Sequence, residues 1–449
     1  MTRLALRGDL LDFSGLPDLG DVDSPAVRFR PDHWLLIEDG RIVAVQAEAP
    51  GEDWPRQDHR GRLILPGFVD THVHCPQLDV IASFGTTLLD WLQTYTFPAE
   101  QRFADPAVAR AGAELFLDTL LAHGTTSAVV FPTVHAVSAD ALFEAASVRG
   151  MRLITGKVLM DRHAPPGLRD DVVGAQRDCE AQIARWHGQG RNAFAVTVRF
   201  AITSTPEQLA MAGGLLQRHA GLYMQTHVAE NLDEVRWVQE LFPQARSYLD
   251  VYHQHGLLNE RAVLAHGIWL DDADRALLRD TGAHIAFCPT SNLFLGSGLF
   301  NWAEAQAVGH GVSMASDVGG GTSLSMLRTL AEAYKVQALR GTRMTAWAGL
   351  HAATLGAAQA LGLAHELGAL EPGRLADVCV WDWAAGPVAS HRDSVATGQV
   401  VPLPAQSLHA RVFAWMTLAD ERNLSAAYVA GQPRWQRPGL HTGSGISMV

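Results

Sequence analysis

Apolar residues follow two rhythms along this chain. Up to about residue 65 they come in short runs broken by turn residues. WLLIEDGRIVAV (34–45) sets Asp39-Gly40 between two such runs, a strong short-range hairpin signal. RLILPGFVDTHVH (62–74) is a second strand run, broken at Pro66-Gly67. From there to about residue 365, short β-rich runs alternate with longer stretches of helical spacing. AVARAGAELFLDTLLAHG (107–124) is one of these, ending on a glycine where a helix terminus favours one.

Eight runs read as strands of this middle region. They are GFVDTHVH (67–74), TSAVVFPT (126–133), RLITGKVLMD (152–161), FAVTVRFAIT (194–203), LYMQTHVAE (222–230), AVLAHGIWL (262–270), HIAFCPTSN (284–292) and GVSMASDVG (311–319). Strand followed by helix, repeated this often, predicts a parallel sheet. Eight strands close a TIM-type (β/α)8 barrel. An open doubly wound sheet would carry a Gly-rich phosphate turn after its first strand, and none is present. After about residue 370 short strand runs return: LEPGRLADVCVWD (370–382), SLHARVFAW (407–415) and LSAAYVAGQPRW (424–435). The expected fold is therefore α/β, a barrel with a small flanking β-sandwich domain built from both termini. Its expected parts are 1–66 and 370–449 for the β domain and 67–369 for the barrel.

Composition narrows the function. Of 449 residues, 47% are hydrophobic and 18% charged, which suits a globular protein with ample core and excludes a disordered one. The net charge of −12 leaves no broad cationic footprint, so neither nucleic acid nor an anionic membrane is an expected partner. No apolar run reaches membrane-spanning length. The first ten residues, MTRLALRGDL, lack the apolar stretch of a signal peptide. Cys75, Cys179, Cys288 and Cys379 lie far apart with no CxxC, which excludes a thiolate zinc knuckle and a disulfide scaffold. A reducing, cytoplasmic setting follows as the expectation. Histidines number 20, and the only lysines are Lys157 and Lys335.

The histidines matter by position. His72-Val73-His74 ends the first barrel strand, and period two puts both imidazoles on one face. In a barrel this is the C-terminal mouth, where active sites form, and two converging imidazoles there make a transition-metal chelate. The fifth strand ends with His227 and Glu230, the sixth holds His266, and the eighth ends with Asp317. Singly, each has a structural reading as a hydrogen-bonded core histidine or a helix-capping aspartate, and for His266 and Asp317 alone that reading is favoured. Metal-type groups at the ends of strands one, five, six and eight together point to a metal site. Gly319-Gly320-Gly321 lacks the Lys-Ser/Thr of a phosphate loop and reads as backbone that comes close to this site.

PGFVDTHVH, THVAE, AHG and SDVGGG, with a closing PGRLADVCVWD, resemble the amidohydrolase superfamily along nearly the whole chain. Within it, HCPQ (74–77), LLDWLQTYTFPAE (88–100), VLMDRHAP (158–165), VTVRFAITST (196–205) and DVGGGTSLSML (317–327) are similar to the guanine deaminase branch. Val198 stands where that branch has Pro, and His163 where it has Asn. The resemblance implies zinc-dependent hydrolysis of guanine to xanthine and ammonia in purine catabolism, by a homodimer acting on a free purine base. Alternatives within the superfamily are an s-triazine, 8-oxoguanine or another purine as substrate. The alternative outside it is a non-catalytic barrel scaffold, which would lack metal ligands.

The resemblance also assigns roles. Binuclear relatives bridge two metals with a lysine or glutamate on the fourth strand, and FAVTVRFAIT offers neither, so one metal per subunit is expected. Zinc is implied, although iron also accepts three histidines and an aspartate. His72, His74, His227 and Asp317 are the expected ligands, with water in the open position. Asp317 is the candidate base, and Glu230 the candidate proton donor to the ring nitrogen beside the attacked carbon. His266 is expected to orient the water or Asp317, or to serve as a distant fifth ligand. For the base itself, Arg199 offers a fork of donors, Gln77 an amide and Phe200 a packing face. His227, Glu230 and Asp317 are also expected to touch it. Trp91 reads either as a cover over the pocket or as core.

Overall fold

The computed structural model describes residues 2–85, 88–398 and 407–438. The end of the expected 370–449 segment, from 439 on, lies outside them. In chain order the strands are β1 (Arg3–Phe13), β2 (Val27–Glu38), β3 (Arg41–Gln46), β4 (Arg56–Pro66), β5 (Phe68–His74), β6 (Thr125–Phe131), β7 (Arg152–Thr155) and β8 (Val158–Leu159). They continue with β9 (Asn192–Val198), β10 (Tyr223–Val228), β11 (Ala262–His266), β12 (His284–Phe287), β13 (Val312–Met314), β14 (Val378–Asp382), β15 (Leu424–Val429) and β16 (Gln432–Gln436).

The middle strands form a parallel barrel in the order β5-β6-β7-β9-β10-β11-β12-β13, with β8 also pairing with β9. The two ends meet through the chain that follows β13: Asp317 N–H donates to His72 O, and His74 N–H to Val318 O, both at 2.9 Å. Strands β5, β6 and β9 are buried along their whole length, which is why they read as continuous apolar runs. Val69, Val129, Ile154, Ala195, Tyr223, Val263 and Ala286, each from a different barrel strand, pack in one cluster with Leu361 and Leu367. These side chains fill the inside of the barrel.

The third expected run is split at Gly156-Lys157, between β7 and β8. There the chain presses on β9 so closely that a Cβ on Gly156 would lie 2.2 Å from the Ala195 carbonyl. The fourth run stops at Val198, before a 3-10 turn over Ala201–Thr203. The seventh becomes helical from Pro289.

The remaining strands form one seven-stranded mixed sheet in the order β16-β15-β14-β4-β1-β2-β3, so both ends of the chain contribute. Asp39-Gly40 is the β2–β3 turn, and both residues take positive φ (47° and 79°), as a type I′ hairpin turn demands. The expected strand SLHARVFAW is instead helix, over Leu408–Leu418. Ser407 caps it by accepting the Ala410 N–H, and Val412, Trp415 and Met416 form its buried face at helical spacing. Trp415 packs edge-on against Trp381 and Trp383.

Candidate active site

The carboxyl ends of β5, β10, β11 and β13 converge on one point. A register shift in the β5–β6 pairing between Asp70 and Val73 sets the end of β5. Buried Asp70 ties it down, accepting the His72 N–H at 3.3 Å, the Ser316 N–H at 3.0 Å and the Ser316 hydroxyl. Burial lifts the Asp70 carboxyl to about 6 against the pull of these bonds. His227 Nδ1 lies 2.6 Å from the Arg199 carbonyl, so Nδ1–H donates there and Nε2 is left with a lone pair facing inward.

Four side chains present single atoms to a common centre. His74 Nε2 lies 3.2 Å from both His72 Nε2 and His227 Nε2. Asp317 Oδ1 lies 3.1 Å from His72 Nε2 and 3.3 Å from His74 Nε2. Burial pushes the His74 imidazole down to about 3, and His227 well below its usual range. Three imidazole nitrogens and a carboxylate oxygen thus face one centre, an arrangement that a cation placed there would satisfy. A tetrahedron with metal–ligand bonds of about 2.0–2.1 Å has edges of about 3.3–3.4 Å, so the spacing fits a metal such as zinc. Burial raises the Asp317 carboxyl, but the hydrogen bond and charge of His72, with His74 and His266, hold it well below the ordinary range.

Beside this cluster sit two further groups. His266 Nδ1 is 2.8 Å from Asn292 Oδ1, and its Nε2 lies 3.3 Å from Glu230 Oε2 and 3.7 Å from Asp317 Oδ2. It stands between the two carboxyl groups rather than within the four-atom cluster, and shares a second potential ligand group with Cys288 and Asp317. Glu230 accepts from the Ser297 hydroxyl at 2.9 Å. Burial, helped by the charge of Asp317, raises its carboxyl to about 8, so it holds a proton at neutral pH. His266 and Asp317 both have left-handed backbone (φ 75° and 48°), as does Ala229 (φ 47°). Each such residue costs on the order of 1–3 kcal/mol, and such strain collects at functional sites.

The cluster opens into a cavity at the barrel mouth. Its polar wall carries His74, Gln77, Arg199, His227, Glu230, Glu234, His266 and Asp317, and its apolar wall Leu88, Trp91, Leu92, Phe200 and Leu295. The structure thus brings together eight of the nine residues named from the sequence as cavity lining. The ninth, His72, lies fully buried behind them. Trp91, expected either to cover the pocket or to lie in the core, is buried and lines the cavity. Lys157 is buried elsewhere and pairs with Asp170 at 2.7 Å. Gly319 and Gly321 let the backbone in: a Cβ would lie 2.5 Å from Gln77 O at the first and 1.8 Å from Ser316 O at the second.

Three participants were not singled out from the sequence. Glu100 is fully buried and gives both carboxylate oxygens to Arg199 Nη1, at 2.7 and 2.8 Å. Glu234 accepts the N–H groups of Glu230 (2.9 Å) and Asn231 (3.1 Å) and the Tyr248 hydroxyl (2.7 Å). Asn292 orients His266. Two of them had a sequence signal: Glu234 as the third position of a capping box begun by Asn231, and Glu100 as the last residue of the LLDWLQTYTFPAE segment.

A barrel whose strand ends hold three imidazoles and a carboxylate at metal spacing, flanked by a protonated acid, is the architecture of metal-dependent hydrolases. The chain belongs to the amidohydrolase family, whose model matches residues 63–433. A curated guanine deaminase of Escherichia coli (strain K12) is 43% identical over 97% of this chain and 98% of its own length. The solved structure of E. coli guanine deaminase superposes with a TM-score of 0.91 at 42% identity, covering 97% of this chain and all of that one. The guanine deaminase of C. acetobutylicum, solved with guanine in its active site, superposes at 0.84 with 26% identity, over 96% of this chain and all of that one. Among the described residues no helix is long and apolar enough to cross a membrane.

Proposed function

We propose that this protein hydrolyses guanine to xanthine and ammonia, using one zinc ion held by His72, His74, His227 and Asp317. The observation that carries the reading is the placement of Glu230 and Asp317 on either side of His266 Nε2, at 3.3 and 3.7 Å, beside the metal-type cluster. Whole-length similarity to guanine deaminases supports the substrate.

A zinc ion held by His72, His74, His227 and Asp317 would supply a Lewis acid for activating water. Asp317 takes a proton from the attacking water as the water oxygen bonds to C2 of guanine. Glu230 gives its proton to N3, so the ring accepts the oxygen as a neutral tetrahedral adduct. Asp317 then passes its proton to the departing amino group, which leaves as ammonia. The new hydroxyl returns a proton to Glu230 as the C2 carbonyl forms, and both carboxyl groups end as they began. His266 keeps the two in place. Arg199 and Gln77 face the polar edge of the base, and Phe200 and Trp91 pack on its ring. Four free, buried cysteines support a cytoplasmic setting, and a homodimer is what the family resemblance implies.

The test is purified protein assayed for xanthine and ammonia from guanine, beside elemental analysis. Guanine turnover with about one zinc per chain is expected. No ammonia from guanine, with brisk release from another purine or an s-triazine, would overturn the substrate.

A further inference from the structure

Glu100 has no part in the chemistry above, yet it is a fully buried acid set directly against a residue of the cavity wall. It sits on the short helix Phe97–Gln101, which follows a π-helical turn over Leu92–Thr96. Its two oxygens take Arg199 Nη1, and Phe97 of the same helix lies under the guanidinium at 5.2 Å. The charge of Arg199 is thereby matched inside the protein, so the cavity takes an uncharged base without an unpaired cation beside it.

Glu100 also governs Gln77. Gln77 Oε1 accepts the Gly319 N–H at 3.1 Å, and its Nε2 faces Glu100 Oε1 at 3.4 Å. A backbone donor on one side and a carboxylate on the other allow only one orientation of the amide. Gln77 then has its remaining amide hydrogen to offer the cavity. Arg199 also has only donors. The wall held by Glu100 therefore presents donors to the ligand.

A wall of donors reads acceptors. Guanine carries a carbonyl oxygen at C6, where a 6-aminopurine carries a donor and 2-aminopurine carries only hydrogen. We propose that Glu100 is the specificity-determining positioning residue of this site: by fixing Arg199 and the amide of Gln77 as donors, it selects purines with an oxygen at C6. The proposal rests on the guanine reading above. It extends that reading to a residue that does not touch the base.

The test compares guanine with 2-aminopurine, which keeps the reactive C2 amino group and lacks the C6 oxygen. Both are measured with the zinc-loaded parent protein and with the Glu100→Gln variant. The substitution turns an amide donor toward Gln77 or Arg199, so the donor wall loses its register. Expected is a rise in the guanine KM and a loss of about tenfold or more in guanine-over-2-aminopurine selectivity. Zinc content should stay within about twofold of the parent's, and the loss for 2-aminopurine should be much smaller than that for guanine; a purely structural role would impair both bases alike. Equal losses for the two bases, or an unchanged guanine KM, would overturn the proposal. Should Glu100→Gln not fold, Glu100→Asp takes the same measurement, with an intermediate selectivity expected and full selectivity overturning it. A parent protein that does not turn over guanine would sink the substrate reading instead, and this proposal with it.

Discussion

The backbone carbonyl of Arg199 accepts the Nδ1–H of His227 at 2.6 Å, while the guanidinium of the same residue lines the cavity. One residue at the end of β9 thus serves the metal cluster with its main chain and the ligand with its side chain. The two duties are separable. Arg199→Lys keeps the carbonyl and the charge but loses the fork of donors. Metal content should be unchanged and kcat/KM for guanine should fall about 10–100-fold, the worth of one charge-assisted hydrogen bond. Steady-state kinetics with metal analysis on the same sample checks it, and loss of metal would contradict the separation.

Glu230→Gln keeps the shape and the Ser297 contact but cannot deliver a proton. Activity should drop about 10²–10⁴-fold, the usual contribution of a general acid, with zinc retained. A variant near parental activity would remove Glu230 from the proton-transfer role.

Chelation should leave the barrel less stable, because a metal that binds only the folded cluster stabilises it by mass action. At free zinc about 1,000 times its dissociation constant, the gain is about 4 kcal/mol. Thermal unfolding of chelated protein, with and without added zinc, measures this. Identical melting temperatures would mean that the crowded imidazoles hold no ion.

Acid should weaken the fold for a reason remote from the active site. Burial lowers His59 to about 4, His284 to about 3 and His351 to about 4. Both ring nitrogens of His59 and His284, and Nε2 of His351, are buried without a hydrogen-bond partner among the described residues. A folded-state value below the unfolded one means that the unfolded chain binds the extra proton. The stability each neutral ring supports is therefore intact above about 6.5 and lost as pH falls from there towards 4 or 3. Each group adds up to about 1.4 kcal/mol per pH unit to that slope. His351→Gln should flatten the dependence of unfolding free energy on pH between 6.5 and 4; an unchanged slope would clear His351 of the effect.

Much of this was legible beforehand for a physical reason. Parallel strands buried on both faces leave unbroken apolar runs, and the metal-type residues sit at their ends, where short spacings suffice to group them. Glu100 escaped because its partner Arg199 is 99 residues away on a different element, and no local period links a helix in one loop to the end of β9. The 408–418 helix gives a strand-like signal because LHARV alternates apolar and polar positions, and only the spacing of Val412, Trp415 and Met416 with Ser407 as cap marks it as helix. The break at Gly156 was hidden because it arises from the approach of Ala195, a contact between strands.

The mixed sheet imposes an order on the birth of the molecule. The second half of β4, Arg62 to Pro66, pairs with β14, yet 312 residues separate Pro66 from Val378. At about 5–20 residues per second, a ribosome takes about 15–60 s to deliver that partner. Through that interval β4 keeps an open edge of apolar strand, free to pair with a neighbouring nascent chain. A strand made late, β14, therefore closes the edge of one made early, and the yield of active protein should depend on keeping emerging chains apart until it arrives.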